Sequence, residues 1–556
     1  VGVAVGTYPE TPDLYGAFPR LTEEQLRRLS SIGERRAMTT GDVLFREGQP
    51  GNDLLVIVRG RVAVLDGDDD ERRIVRVHGP GRFLGELSLL AGQVAFFTAV
   101  AVEDGELLAL SRGRLRDAVA ADPVFGDLVL RAYLLRRSLP GELASVLWII
   151  GSRYSRETMR LLEFVCRNRV PHRFVDLEED IDAEALLRER GVPPQETPVV
   201  IWRGQTLLRR PADKEVAELI GLRQTGPSTM TTDVVIVGAG PAGLAAAVYA
   251  ASEGLDTHVV ESSATGGQAG TSSYIENYVG FPAGISGAEL AERARLQADR
   301  FGARISVSAS AIALERRGGC YVVRLDDGTA VVARAVVVAS GVQYRRLPVP
   351  RVDEFEPICV HYAATPLEAA RCAGEPVIVV GGGNSAGQAA TFLARVVPEV
   401  HLVVREPSLH ESMSRYLVER VLADTNIDVL LGCEVIELIG DRTLEEVVVR
   451  DRETRERRVV KATSMFVFIG AEPCTTWLAE AVDRDDDGYV RVGERAVNRD
   501  GDAWRYVNRA PLPLETSLPG VFAAGDVRSG SVKRIAAAVG DGAMAIRFVH
   551  THLART

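Results

Sequence analysis

The chain reads as an α/β protein with two nucleotide-binding units, preceded by a small β-barrel and a compact α/β unit. Three observations predict this. The stretches "DVVIVGAGPAGLAAAVYAASEGLDTHVVE" (Asp233–Glu261) and "PVIVVGGGNSAGQAATFLARVVPEVHLVVRE" (Pro376–Glu406) repeat one layout of apolar strand, glycine-rich loop, helix and second strand. Residues 40 to 112 run as short strands broken by glycine, flanked by helical patterns. Residues 146 to 222 alternate strand and helix within a short span.

At 556 residues the chain exceeds one core, since domains average about 150 residues. The 46% hydrophobic and 25% charged content is that of an ordinary globular protein. A net charge of −11 without a basic patch argues against a nucleic-acid partner. No apolar run approaches the roughly eighteen residues of a membrane span, and "VGVAVGTYPE" lacks a signal-peptide pattern. A cytoplasmic protein with no membrane partner is expected. The six cysteines (Cys166, Cys320, Cys359, Cys372, Cys433, Cys474) show no CxxC spacing, so buried free thiols are expected and neither a disulfide framework nor a metal site.

Taken in order, residues 13–140 form the first domain, with strands such as "DLLVIVRGRVAVLDG" and "GELLALS". Residues 145–223 form the second: strand "VLWII", helix "SRETMRLLEFVCRN", strand "HRFVDL", helix "DAEALLRER", strands "TPVVIW" and "QTLLRR", and helix "DKEVAELIGL". Residues 224–231, within "RQTGPSTMTT", read as a linker. The first nucleotide-binding domain takes 232–346 and 477–556, and the second takes 347–476.

In the first loop Gly238 permits a tight turn, Gly240 lets backbone approach a pyrophosphate, and Gly243 lets helix pack on strand. The helix start offers free N–H groups to phosphates. Glu261 is spaced to accept from ribose hydroxyls. In the second loop Gly381, Gly383 and Ala386 fill the three small-residue positions. Two such loops predict two dinucleotides.

With "SSYIENYVGFP", "VFVFIGAEP" and "PGVFAAGDVRSGSVKRIAAAVGDGAMA" added, residues 232 to 553 resemble the thioredoxin reductase family of flavoproteins. The resemblance implies FAD in the first domain and NADPH, or alternatively NADH, in the second. It places the flavin nucleotide on Gly238, Gly240, Pro241, Ala242, Gly243 and Glu261, with Gly266, Gly267, Gln268 and Asn277 as further contacts. Asp526, after Gly525, falls on the ribityl chain, and Ser340, Gly341, Lys533, Arg534 and Ile535 complete the set. For NAD(P)H it implies Gly381, Gly383, Asn384, Ser385 and Ala386. The family's 2′-phosphate region is here Val404-Arg405-Glu406, with His410 downstream. Arg405 favours NADPH and Glu406 opposes it; NADPH is the expectation. The family commonly forms homodimers, which is expected here too.

The chain departs from that family at its redox cysteines, whose positions hold Ala363 and Pro366, so no catalytic residue is assigned. "TPLE" makes Thr365 an N-cap, Pro366 the first helical residue and Glu368 the third, a capping box. This helix either presents its positive end to the flavin or is purely structural. Cys359 and Cys372 flank the segment at expected opposite ends of the helix, too far apart to pair.

The second domain resembles the glutaredoxin-like branch of the thioredoxin fold, with Ser152-Arg153-Tyr154-Ser155 in place of its CxxC and Thr197-Pro198 at its cis-proline position. The first domain resembles a cyclic-nucleotide-binding domain. "GRFLGELSLLAGQVAFFTAV" matches the phosphate cassette, making Gly85, Glu86 and Leu87 ligand candidates. Ala95 stands where the cassette's arginine belongs, with Phe96 and Phe97 after it, so tight cyclic AMP binding is not expected.

The expected function is an FAD-dependent NAD(P)H oxidoreductase without a redox cysteine pair, passing electrons to an acceptor, small molecule or protein, that the sequence does not identify. The first domain would serve as its sensor. The alternatives are a ferredoxin- or flavodoxin-linked reductase and a non-catalytic redox or ligand sensor.

Overall fold

The computed structural model describes residues 9–13, 16–49, 53–66, 73–85, 95, 97–138, 147–180, 183–202, 206–223, 229–479, 481–496, 504, 507 and 509–554. The chain forms two compact units: residues 1–150, 170–175 and 180–224 make one, and 151–169, 176–179 and 225–556 the other. The segment expected as one domain at 145–223 is thus divided between them.

In the first unit an antiparallel sheet runs in the order Glu34–Met38, Thr98–Leu110, Leu54–Asp66, Arg73–His78, with Val43–Phe45 on the second strand and Phe83–Leu84 on the third. The register of the two long strands shifts between Ile57 and Val62, and such bulges increase local twist. Gly60 lies there at φ +86°, where a β-carbon would run into Met38 Cε and the carbonyls of Glu103 and Asp104. The barrel expected here is an open pairing path among the described residues, its coiling supplied by these bulges. The helices Arg112–Ala121 and Pro123–Ser138 bury Phe125, Val129 and Ala132 with Leu54, Val56 and Phe83.

A second sheet has the order Thr206–Arg209, Val199–Trp202, Leu147–Gly151, His172–Asp176. All the strands and helices anticipated between 146 and 222 are present, and the Thr197–Pro198 bond is cis. Ser155 caps the helix Arg156–Arg167 through a hydrogen bond from Thr158 N. That helix belongs to the second unit, where Asn168 Nδ2 donates to Ser263 O at 3.0 Å and Arg169 pairs with Glu292 at 3.8 Å.

The second unit holds a seven-stranded sheet: Arg304–Val307, Thr257–Glu261, Thr229–Val237, Ala330–Val338, Cys320–Leu325, Ala311–Arg317, with Val521–Ala523 alongside Ala330–Val338. Its parallel strands are buried on both faces, which is why "VVIV" and "AVVV" are continuous apolar runs rather than alternating ones. The strand opening it begins at Thr229, inside the expected 224–231 linker, because Thr229–Thr232 pair in register with Ala330–Ala333. The helices Pro241–Ser252 and Ile535–Leu553 pack through small residues: a β-carbon on Gly542 would overlap the Ala242 carbonyl.

A parallel sheet follows in the order Val360–His361, Ser464–Val467, Val377–Val380, Val400–Val404, Ile427–Leu431, with the antiparallel strands Cys433–Gly440, Leu444–Asp451 and Arg457–Lys461 beside it. The chain enters and leaves this region through a two-stranded ribbon, Val342–Tyr344 with Ala471–Pro473.

Burial fixes the charge state of several histidines. His361 is 8% exposed, its ring 5.2 Å from that of Phe466, and burial pushes its pKa down to about 3. The unfolded chain protonates this residue near pH 6.5, whereas the fold keeps it neutral, so stability falls as pH drops below about 6.5 with a slope of roughly 1.4 kcal/mol per pH unit. Replacing His361 with Phe removes that proton. Urea unfolding from about pH 6.5 down to about pH 4 should then give a stability line shallower by about that slope; parallel lines for variant and parent would refute the assignment.

Candidate functional site

The first glycine loop has the geometry a pyrophosphate requires. Gly238 sits at φ +105°, and a β-carbon there would collide with the Ala339 carbonyl. One on Gly243 would overlap the Gly238 carbonyl, so the helix can approach the strand only without a side chain. Gly240 is the N-cap of the helix Pro241–Ser252, leaving the N–H groups of its first turn open. Ala242 is buried behind it and Pro241 occupies the first turn.

Glu261 ends the neighbouring strand and is 7% exposed. Its Oε2 accepts from Ala239 N at 2.7 Å and its Oε1 from Ser263 N at 2.9 Å. The carboxylate therefore ties the loop to the second strand. Gly266 (φ +105°) and Gly267 (φ +53°) fold the next turn onto the loop, with Gly266 N donating to Ala239 O at 2.8 Å. Gln268 follows in the turn Gly267–Gly270, and Asn277 is exposed.

Asp526 lies in the turn Gly525–Val527, beyond the strand Val521–Ala523. Burial raises its pKa above the ordinary carboxylate value, with Lys533 acting in the opposite direction. Gly525 takes φ +79°, and its N donates to Asp541 Oδ2 at 3.1 Å; Arg528 pairs with the same carboxylate at 2.7 Å. Ser340 Oγ donates to Cys474 O at 2.7 Å and Gly341 takes φ +64°, so these residues shape the crossing strand. Lys533 Nζ donates to Tyr489 Oη at 2.8 Å, and Arg534 caps the helix that Ile535 opens.

The second loop repeats the first. Gly381 has φ +142° and a β-carbon on it would strike the Phe468 carbonyl, while Gly383 caps the helix Asn384–Leu393. Ala386 is buried. Asn384 Oδ1 accepts from Ser414 N at 2.7 Å, and Ser385 Oγ is 3.2 Å from Tyr344 Oη. Arg405 and His410 are exposed at the end of the adjoining strand.

Ala363 is half-buried and Pro366 is exposed. The predicted capping box is present: Thr365 N donates to Glu368 Oε2 at 2.8 Å and Leu367 N to Thr365 Oγ1 at 3.2 Å. The helix spans only Pro366–Arg371 and its start is closed by Thr365 and the buried Glu368, which favours the structural role over an open positive end. Burial pushes the Glu368 carboxyl upward against the Thr365 hydrogen bonds. Cys359 and Cys372 are both buried and belong to separate apolar cores. Burial raises both thiols, Cys372 to about 11, so neither is a thiolate at neutral pH.

In the first unit Gly85 is at φ +95°, where a β-carbon would overlap the Asp53 carbonyl region, whereas Glu86, Leu87 and Phe96 lie outside the described residues. Ala95 is 2% exposed, its amide and carbonyl bonded to Gln49 and Gly48. Phe97 packs on Phe45 with ring centroids 5.9 Å apart.

Sequence reasoning missed three features. Asp541 braces the Asp526 turn, and an acid inside the apolar run "AAAVGDGAMA" was the available signal. Arg420 and Glu276 form a bidentate pair at 2.7 and 3.1 Å between the two nucleotide-binding domains, with nothing local to betray it. Tyr344, on the crossing ribbon, reaches Ser385. Among the described residues no cluster of His, Cys, Asp and Glu suits a metal ion, and no helix is long and apolar enough to cross a membrane.

Comparisons with known proteins agree with this geometry. The family model "Pyridine nucleotide-disulphide oxidoreductase" matches residues 232–542, and the model "Cyclic nucleotide-binding domain" matches 35–122. A thioredoxin reductase of Mycolicibacterium smegmatis is 36% identical over 318 residues, which is 56% of this chain and 94% of that protein. One from Streptomyces clavuligerus is 34% identical over 328 residues, covering 58% and 94%. The crystal structure of Lactococcus lactis thioredoxin reductase superposes with a TM-score of 0.53 at 26% identity, covering 58% of this chain and all of that one. Thioredoxin reductase-like members use FAD and NADPH. On this match the chain belongs to the pyridine nucleotide-disulphide oxidoreductase family.

Proposed function

We propose that the chain is an FAD-dependent NAD(P)H oxidoreductase that delivers electrons to an acceptor other than a disulfide of its own. The observation that carries this reading is the closed capping box at Thr365–Glu368, where relatives of this kind would carry thiols, together with the burial of Cys359 and Cys372. When bound, FAD supplies the acceptance of hydride and the release of electrons. The chain supplies binding and orientation. The helix start at Gly240 holds the pyrophosphate, Glu261 fixes the ribose, and Asp526, braced by Asp541 and Arg528, holds the ribityl hydroxyls. The start of the helix Asn384–Leu393 holds the coenzyme's pyrophosphate, and the Tyr344–Ser385 contact orders that loop.

We read the four-stranded sheet of residues 147–209 as a thioredoxin-like module, supported by its strand order. With Ser152 and Ser155 in place of cysteines it carries no electrons and serves as a docking surface. The N-terminal domain is the candidate ligand sensor.

Purified protein should hold about one FAD per chain, since one flavin loop is built, and NAD(P)H should bleach it. Thioredoxin should not be reduced, and Cys359→Ser with Cys372→Ser should leave electron transfer to a dye acceptor unchanged. Coenzyme-driven thioredoxin turnover that this double variant abolishes would overturn the reading.

Cyclic AMP should not bind the full-length protein tightly, because Ala95 offers no cation and Phe97 fills core space beside it. Calorimetric titration should give no saturable heat at micromolar protein; submicromolar affinity would contradict this.

A further inference from the structure

The carboxylate of Glu406 lies beside the second loop. The strand Val400–Val404 ends below the loop, and Arg405 and Glu406 follow it. Glu406 is turned back over the glycines: a β-carbon on Gly382 would lie 2.9 Å from Glu406 Oε2 and 3.4 Å from Ser412 Oγ. Both neighbours are anchored. Gly432 N donates to the Glu406 carbonyl at 3.1 Å, and Ser412 Oγ donates to Gly382 O at 2.9 Å. The acid therefore occupies the rim of the loop, where the adenosine ribose of a dinucleotide rests in this kind of fold.

The cations expected to receive a 2′-phosphate, Arg405 and His410, are both exposed. Arg405 is 69% exposed, and among the described residues its guanidinium meets only the Glu406 carboxylate, at 3.4 Å. His410 is exposed in the turn Leu409–Glu411, next to a further acid. A carboxylate at the loop accepts a hydrogen bond from a free ribose hydroxyl but repels a phosphate bearing about two negative charges. A solvated arginine already facing that carboxylate offsets little of the repulsion. The first loop offers an internal comparison, because its acid, Glu261, also reaches back to the loop, there accepting from the amide of Ala239.

We propose that this chain selects NADH over NADPH, with Glu406 as the specificity-determining residue. The proposal rests on the coenzyme site described above and reverses the expectation drawn from Arg405. Its recognition is positive towards the 2′-hydroxyl and repulsive towards the 2′-phosphate.

The test uses the FAD-loaded full chain and two non-reducing probes, ADP-ribose and its 2′-phosphate, titrated calorimetrically at low salt. ADP-ribose should bind at least about tenfold tighter, a difference of roughly 1.4 kcal/mol. The isosteric Glu406→Gln should improve binding of the 2′-phosphate by about tenfold while changing that of ADP-ribose by less than about threefold, consistent with removal of one repelling charge. Flavin content per chain verifies that the variant is folded. Equal or tighter binding of the 2′-phosphate by the parent protein would overturn the proposal, as would a Gln variant with an unchanged ratio. If neither probe binds while FAD is retained, the coenzyme site itself is wrongly assigned and the proposal falls with it.

Discussion

The carboxylate of Glu261 holds together the part of the molecule on which the rest depends. By accepting from the amides of Ala239 and Ser263 it fixes the first glycine loop against its second strand. That contact exists only because Gly238 and Gly243 let the loop, the strand Ala330–Val338 and the helix Pro241–Ser252 close without side chains between them. From this closure follow the direction of the helix start, the seat of the Ile535–Leu553 helix upon it, and the position of the Gly525–Val527 turn. The second domain applies the same steric solution at Gly381, so one local geometry is used twice in one unit.

Much of this was legible because it is local. The tight turn at Gly238 and the capping box at Thr365 are demands a short segment makes on its own residues, and each appears in the structure where the sequence places it. The alternation of strands and helices between 146 and 222 was legible for the same reason. What escaped depends on partners distant in sequence. The Arg420–Glu276 pair joins helix Arg415–Ala423 to a loop 144 positions away, and no local pattern marks either residue. The direction in which Glu406 turns depends on how the strand after it receives its carbonyl. The start of the first strand at Thr229 was hidden because turn-forming residues can pair when a partner strand is supplied from elsewhere.

Under the proposed reading, the helix start at Thr365 is physically coherent without a thiol. A cysteine at a helix start is reactive because the helix lowers its pKa. Here proline and a closed capping box occupy that start, and Cys359 and Cys372 lie where burial raises their thiols. Cys166 and Cys474 follow the same rule, raised to about 12 and about 11 by burial.

The central claim is that electrons leave the flavin without passing through a thiol of this chain. Counting reducing equivalents tests it most directly: anaerobic titration of the FAD-loaded protein with dithionite, followed at the flavin absorbance band, measures the redox capacity of the chain independently of coenzyme and acceptor. Complete bleaching after about two electrons per flavin is the predicted result, and uptake of about four, the extra pair belonging to a disulfide in redox contact, would contradict it.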